Sequence, residues 1–375
     1  MATGLNNNET LELWNLAISN YPFDEKPTDY LLPQHQFLVM DKIITKARAQ
    51  LSPGGTDIRW PLTVAESAGL TWVDPGEDRT FAQSTGTTQG KAPWANAYGY
   101  VQILAAEIRR CKGRAEIKNI RQNYKQRAYV GIAMDMERAF FGLPDAVANK
   151  KLLGTSYSIV PITTTQVSNG TADHQGAINI TLAAAGQTTV YNVSPTTYPR
   201  HQNYNDVWSN SAGEITETDL LKIGKMLRRL HFNGPATAEG LKQPEYQDLL
   251  LCADEVIVDA YCAAVRRGRD DIGTNAVAHY GQGLTATGIP VANGLPIYWN
   301  EVFDTANATD RGAHPLMALN LSEFQIVFEE GCNFREDPAT NTQKNPDIFV
   351  SQIDLGAQLI VKNRQRAGGI ISYVA

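Results

Sequence analysis

Cysteine is scarce in this chain, and what there is does not form a pattern. Among 375 residues there are four, Cys111, Cys252, Cys262 and Cys332, none of them in a C-x-x-C pair. No signal peptide opens the sequence, so a disulfide framework is not expected and synthesis in a reduced, intracellular compartment is. Asn-x-Ser/Thr matches at Asn169, Asn179 and Asn192 are read as chance on the same ground. Long apolar runs are missing as well. No stretch reaches the roughly 20 residues that cross a bilayer, so no membrane helix is expected. Positive charge is not in excess either: the formal net charge is -6, which argues against nucleic-acid binding by overall charge. Neither internal repeats nor low-complexity tracts occur.

Local catalytic signatures are equally sparse. The six histidines, His35, His174, His201, His231, His279 and His314, stand apart with no pair at metal-ligand spacing. No G-x-S-x-G elbow and no G-x-G-x-x-G fingerprint appears. The run from Gly86 to Lys91, Gly-Thr-Thr-Gln-Gly-Lys, resembles a phosphate loop, but its glycines are one residue too close. Ala92-Pro93 then stand where a magnesium-binding hydroxyl and a helix should follow. Asp254, Glu255 and Asp259 are better explained by helix capping and a solvated face than by acid–base chemistry. A site assembled from distant residues leaves no local trace, so a soluble α/β enzyme is kept as one alternative. No catalytic, cofactor-binding or metal-ligating residue is assigned.

What the chain does have is a long helix. From Arg114 to Phe141 the residues Ala115, Ile117, Ile120, Tyr124, Ala128, Ile132, Met136 and Ala139 recur mostly at three- and four-residue spacing, giving one apolar stripe. Gly142-Leu143-Pro144 closes it. From Arg109 to Arg127 its approach and its other faces are basic, with Arg109, Arg110, Lys112, Arg114, Lys118, Arg121, Lys125 and Arg127 against only Glu116.

Ahead of the helix the first fifty residues read as an arm. Asn8 can cap a short helix carrying Leu11, Trp14, Leu16 and Ile18, and Pro22, Pro27 and Pro33 keep the following chain extended. From Gly55 the period switches to two. Thr56, Ile58, Trp60, Leu62 and Val64 share one face, and Asp57, Arg59, Pro61 and Thr63 the other. Asp74-Pro75-Gly76-Glu77 marks a turn, and the chain returns through Gln83–Gly90 to Trp94, Tyr98 and Tyr100. The result is a hairpin excursion. An isolated hairpin is marginal in water, so Trp60, Trp72 and Trp94 require a surface, most easily found on an adjacent copy.

Beyond the helix, Leu152–Val193 reads as β-rich and Tyr198–Trp208 as a polar aromatic loop. Thr216-Glu217-Thr218-Asp219 opens a helix with a capping-box variant, and Leu220, Ile223, Leu227 and Leu230 form its stripe. Leu249–Cys252 reads as a buried strand, and Asp254 caps a helix running to Arg267-Gly268. Strands are expected around Ile289–Val291, Pro296–Trp299, Phe324–Phe328, Ile348–Val361 and Gly369–Val374, with Asn363–Arg366 as the last turn.

This order of parts resembles the tailed-phage major capsid proteins of the Hong Kong 97 fold. Local stretches resemble one branch of that family as well. Tyr100–Lys118, "YVQILAAEIRRCKGRAEIK", matches the entry to the spine helix. Tyr191–Tyr204 and Leu251–Tyr261 match steps of the axial domain. "GIPVANGLPIYWN", Gly288–Asn300, matches the strand pair before the return, and Ile353–Ile371 the closing hairpin.

The resemblance implies an α+β fold in five parts: an N-terminal arm (1–50), an E-loop hairpin (51–100), a peripheral domain with its spine helix (101–150), an axial domain (151–305) and returning peripheral strands (306–375). It implies a structural protein, not an enzyme, that assembles as hexamers and pentamers into an icosahedral shell around double-stranded DNA. Such a protein is made in the bacterial host cytoplasm and resides in the virion capsid. An encapsulin-like nanocompartment is the alternative within the same fold.

Trp14, Trp60, Trp72, Asp74, Glu77, Asp78, Arg79, Arg364 and Arg366 are the candidate contacts between copies; a polar turn for Asp74–Arg79 and surface solubility for the two arginines are their plainer readings. The arm leaves no room for a fused scaffolding domain, so a separate scaffolding protein is expected. Portal and decoration proteins are further implied partners, with DNA met only by weak non-specific contacts and no membrane or cofactor involved. No lysine lies between Lys46 and Lys91, so crosslinking from the hairpin tip is not expected.

Overall fold

The computed structural model describes residues 49–63, 86–105, 120–144, 151–162, 174–209, 214–230, 249–272, 283–284, 289–304, 312–332, 334–337, 340–342 and 345–373. The expected arm up to residue 48, the hairpin tip and the first turns of the basic helix before Ile120 lie outside them. The chain divides into two compact units. The smaller takes the described residues within 96–137 and 331–355, the larger those within 49–95, 138–330 and 356–373.

Strand β1 (Ala49–Ser52) leads through Pro53-Gly54-Gly55 into β2 (Asp57–Thr63). Both glycines have positive φ, 98° and 121°, which a residue with a Cβ adopts only under strain. Strand β3 (Thr87–Pro93) returns antiparallel to β2, with Asp57 opposite Pro93 and Thr63 opposite Thr87. This is the hairpin the two-residue period predicts, and Leu62 is buried on its inward face while Arg59, Pro61 and Thr63 are exposed.

After Trp94 the chain enters β4 (Ala95–Leu104), which leaves Tyr98 and Tyr100 facing solvent. Gly99 lies so close to helix α1 (Ile120–Phe141) that a Cβ there would sit 2.6 Å from Cδ1 of Ile132. Helix α1 ends at Phe141, as the Gly-Leu-Pro signal requires. Its last carbonyls are met locally: Gly142 N–H donates to the Ala139 carbonyl (3.2 Å) and Ser156 Oγ to that of Phe141 (2.8 Å). Phe140 and Phe141 are buried at this end, outside the stripe read from the sequence.

Two segments differ from expectation. Among the described residues of Leu152–Val193 there are one-turn helices at Thr155–Ser158 and Ile180–Ala184 and one short strand, β5 (His174–Gly176). The β-branched residues of "ITLAA" are overridden by Asn179, whose side chain accepts from Thr181 N–H and so caps a helical turn. Tyr198–Trp208 is not simply a loop either. It contains a 3-10 turn, Pro199–His201, and then β6 (Asn203–Val207), where polar Asn203 and Asn205 are buried by hydrogen bonding and not by hydrophobicity.

The remaining elements are α2 (Glu217–Leu230), β7 (Leu249–Ala253), α3 (Glu255–Ile272), β8 (Gly283–Leu284), β9 (Pro290–Ala292), β10 (Leu295–Trp299), β11 (Ala313–Asn320), β12 (Phe324–Glu329), β13 (Arg335–Glu336), β14 (Thr340–Thr342), β15 (Asn345–Val361) and β16 (Gly368–Tyr373). Both caps read from the sequence are present. Asp219 accepts from Thr216 N–H at 3.0 Å, and Asp254 Oδ1 accepts from Ile257 N–H at 3.0 Å. Helix α3 runs past Gly268 to Ile272, since one glycine costs only about 1 kcal/mol in a helix.

In the larger unit an eight-stranded mixed sheet has the order β5-β6-β16-β11-β7-β10-β9-β8, parallel at β6/β16 and β7/β10. Its core joins α2 (Ile223, Met226, Leu227, Leu230) and α3 (Ile257, Tyr261) to Leu251, Ile297, Leu316 and Ile371. Each fully buried aliphatic side chain there contributes about 1.5–3 kcal/mol. Also in this unit, β1 runs parallel to β12, and β12 antiparallel to the last part of β15. In the smaller unit the first part of β15 pairs antiparallel with β13 and β14.

Candidate functional site

The described constellation with the densest convergence of buried polar groups begins at the turn from β15 to β16. Asn363 accepts from Gln365 N–H (3.1 Å) and starts a single helical turn, Arg364–Ala367. That turn aims Arg364 inward. Its side chain is only 1% exposed, and its guanidinium donates from Nε to the Ser158 carbonyl (2.5 Å). Nη1 donates to the carbonyls of Ala177 (2.6 Å) and His201 (2.9 Å), and Nη2 to Asn203 Oδ1 (3.4 Å). Burial lowers its pKa to about 10, with the nearby Tyr191 and Tyr157 phenols acting the other way. At neutral pH the group stays charged, and four neutral oxygens replace the lost water.

The sequence placed Arg364 at the surface as a contact between copies. That expectation is corrected here: the residue is inside its own chain, because carbonyls from three distant segments converge on it. Arg366, the other arginine of the turn, is half-buried and 3.8 Å from Glu323.

Around Arg364 the segments lock together. Asn203 accepts from Val160 N–H (3.0 Å) and donates to the carbonyls of Val160 (3.1 Å) and Tyr204 (2.9 Å). Gly176 packs directly on the Asn203 amide, with no room for a Cβ. His201 is buried with Nε2 at 3.2 Å from the Val190 carbonyl. Burial, then the Arg364 charge, push its pKa down to about 3, so the neutral ring donates from Nε2–H.

Val190 and Val193 exchange backbone hydrogen bonds (2.9 and 3.0 Å) across a two-residue turn in which Tyr191 and Asn192 have φ of 52° and 67°. Two left-handed residues in this arrangement make a type I′ turn. Asn accepts that conformation readily; for Tyr it costs about 1–3 kcal/mol and must be held by its surroundings. Tyr191 is so held. Its N–H donates to Tyr157 Oη (3.1 Å), and its ring meets those of Tyr157 and Trp60 edge-on at 5.0 and 5.4 Å. Burial raises its phenol pKa.

The base of the hairpin sits on this turn. Lys91 N–H donates to the Tyr191 carbonyl (3.0 Å), and Leu62 and Trp60 pack with Val193 and Tyr198. Trp60 therefore finds its apolar surface on its own chain, where a neighbouring copy was expected. Because the Lys91 amide points away from β2, Arg59 and Lys91 form a non-hydrogen-bonded pair and Trp60 and Gly90 a hydrogen-bonded one. The indole covers Gly90 so closely that a Cβ would lie 2.5 Å from Cε2. Asp57 bridges Lys91 (3.1 Å) and Arg59 (3.6 Å) across the outer face. The hairpin's return is anchored separately: buried Gln358 donates from Nε2 to the Pro93 carbonyl (2.7 Å) and accepts from Leu153 N–H (2.8 Å).

Trp14, Trp72, Asp74, Glu77, Asp78 and Arg79 lie outside the described residues. Elsewhere in the larger unit His314 Nδ1 is 2.7 Å from Asp254 Oδ2, with Asp254 Oδ1 committed to the cap of α3. Among the described residues no three His, Cys, Asp or Glu side chains gather as metal ligands. The Arg364 guanidinium gathers Ser158, Ala177, His201 and Asn203 beside the strained turn on which the base of the hairpin sits. The left-handed Asn192 is the one residue that could have signalled the turn from sequence. Nothing local marks Arg364 as buried.

No family model and no curated protein matches this sequence. Solved structures do. The chain is similar to a chain of the cyanophage A-1(L) capsid asymmetric unit at 13% identity, covering 93% of this chain and 96% of that one with a TM-score of 0.56. It is similar to the capsid of the native GTA particle at 10% identity, covering 96% and 99% with a TM-score of 0.52. For the capsid of the empty GTA particle the values are 12% identity, 93% and 100% coverage, and a TM-score of 0.51. At such identities the likeness is one of fold. The fold is the Hong Kong 97-type capsid fold, shared along nearly the whole length of both chains.

Proposed function

We propose that this chain is the major capsid protein of a tailed bacteriophage, a structural shell-forming subunit and not an enzyme. One observation carries the reading: the fold likeness spans 93% of this chain and 96% of a phage capsid chain. Copies of the subunit assemble as hexamers and pentamers into an icosahedral shell that encloses double-stranded DNA. The net charge of -6 suits a wall over which packaged DNA slides with few fixed contacts.

In this reading residues 1–50 are the arm, 51–100 the E-loop hairpin, 101–150 and 306–375 the peripheral domain, and 151–305 the axial domain. Trp14, Trp72, Asp74, Glu77, Asp78, Arg79 and Arg366 meet neighbouring copies, whereas Trp60 and Arg364 serve inside the subunit. A shell needs broad mutual burial repeated over many copies rather than one tight pocket. A scaffolding protein and a portal act with it during assembly in the host cytoplasm.

The test is electron microscopy of the protein expressed with and without its neighbouring genes. Uniform closed shells are the expected result, with nuclease-protected DNA inside native particles. Small soluble species under both conditions would overturn the proposal, and closed shells that hold protein cargo and no DNA would replace it with a nanocompartment.

A further inference from the structure

We infer that Arg364 is a positioning residue for the β2–β3 hairpin, acting at a distance through the strained Tyr191-Asn192 turn. The guanidinium does not touch the hairpin. It holds the carbonyls of Ser158 and His201, which belong to the two segments that flank the turn. From Ser158 the path is short: Tyr157, its chain neighbour, presents the phenol that accepts Tyr191 N–H at 3.1 Å. From His201 the ring reaches the Val190 carbonyl at 3.2 Å. Val190 and Val193 close the turn, and Tyr191 carries the hairpin on its ring and its carbonyl.

Two features make this more than ordinary packing. The first is strain. Tyr191 sits at φ 52°, a conformation that relaxes unless hydrogen bonds on both sides oppose it. The second is chemistry. A buried cation whose partners are carbonyls and an amide oxygen ties down three backbone segments at once, 206, 187 and 163 residues away in sequence. A hydrophobic side chain of the same volume fills the space and holds none of them. The hairpin and the turn meet in a small cluster of their own, Leu62 and Val193 with Trp60 and Tyr198, apart from the core that α2 and α3 form with β7, so weakening the clasp loosens the turn and the hairpin before it loosens β7.

The test is amide hydrogen exchange on the full-length subunit, comparing Lys91 with Leu250, Leu251 and Cys252 of β7. In Arg364→Met the Lys91 amide is expected to exchange at least about tenfold faster while the β7 amides hold, the signature of local opening. Arg364→Lys, which restores a cation but not the fork, should recover part of the protection. Tyr157→Phe removes the one hydrogen bond that holds Tyr191 N–H without altering Arg364 and should speed exchange at Lys91 and not in β7, which keeps the idea testable if Arg364→Met fails to fold. Wild-type protection at Lys91 in Tyr157→Phe, or an equal rise at Lys91 and β7 in Arg364→Met, would overturn the inference. Neither result depends on whether shells form.

Discussion

Gln358 and Pro93, 265 positions apart, are joined by one hydrogen bond of 2.7 Å from Nε2 to the carbonyl oxygen. The same amide accepts from Leu153 N–H, so one buried side chain stitches the return of the hairpin to the segment after α1 and to the closing strand. Gln358→Leu keeps the volume but strands a buried donor and a buried acceptor. A loss of about 2–4 kcal/mol is expected, measured as a lower urea midpoint at unchanged slope. A shift below about 0.5 kcal/mol, the range of ordinary surface substitutions, would show that water takes over both groups.

Gly90 and Trp60 test the hairpin itself. A Cβ at position 90 would lie 2.5 Å from the indole, so Gly90→Ala must displace the ring from its place beside Tyr191. The expected cost is about 1–3 kcal/mol. In a Trp60→Leu background the same change should cost far less, because the clash is gone. A double-mutant cycle measures this directly, and additive effects would rule the contact out.

Two buried groups make the subunit acid-sensitive in separate windows. The folded pKa of His201 is lowered to about 3 by burial and then by Arg364, against about 6.5 when unfolded. Its contribution is complete above that value and is lost as the unfolded chain takes up a proton the folded one refuses. From pH 7 to 5 the loss should be about 2 kcal/mol, and His201→Gln should flatten that limb. Asp219 acts lower. Burial pushes its carboxyl up, but donors from Thr216 and Ser209 outweigh this and hold it below the ordinary value. Its stabilisation is present above the unfolded pKa, roughly 3.9, and disappears as pH falls through the folded one. Asp219→Asn should remove that step, as read by unfolding measured across pH.

Pro61 lies on the side of the hairpin that pairs with no other strand among the described residues. Since Lys91 points outward on β3, Asp57, Arg59, Pro61 and Thr63 present their backbone groups away from β3 on β2. Proline there removes a donor from the free edge and costs no bond within the pair. Pro61→Thr completes the edge and should raise self-association of the free subunit, seen as a larger particle size by light scattering at equal concentration. An unchanged size distribution would mean that the edge is guarded by the Arg59 and Lys91 charges instead.

The sequence alone was sufficient wherever the signal was local. Alternation from Thr56 to Val64 specifies β2, because a pleated strand buries every second residue. The Gly-Leu-Pro stop ends α1, and Thr216, Asp219 and Asp254 place the starts of α2 and α3, since a cap is made within one turn of chain. The strict alternation from Leu355 to Val361 marks β15. The order of these elements was enough to suggest the capsid fold.

The tertiary structure decided what depends on distant partners. It turned "ITLAA" from strand to helix and made Asn203-Tyr204-Asn205 an interior strand. It also moved Arg364 from the surface to the centre of a buried clasp. An arginine carries the same local propensity in either place. Its position is determined by carbonyls of Ser158, Ala177 and His201, and the free energy of burying a charge depends on whether such oxygens arrive together, which only the folded chain arranges.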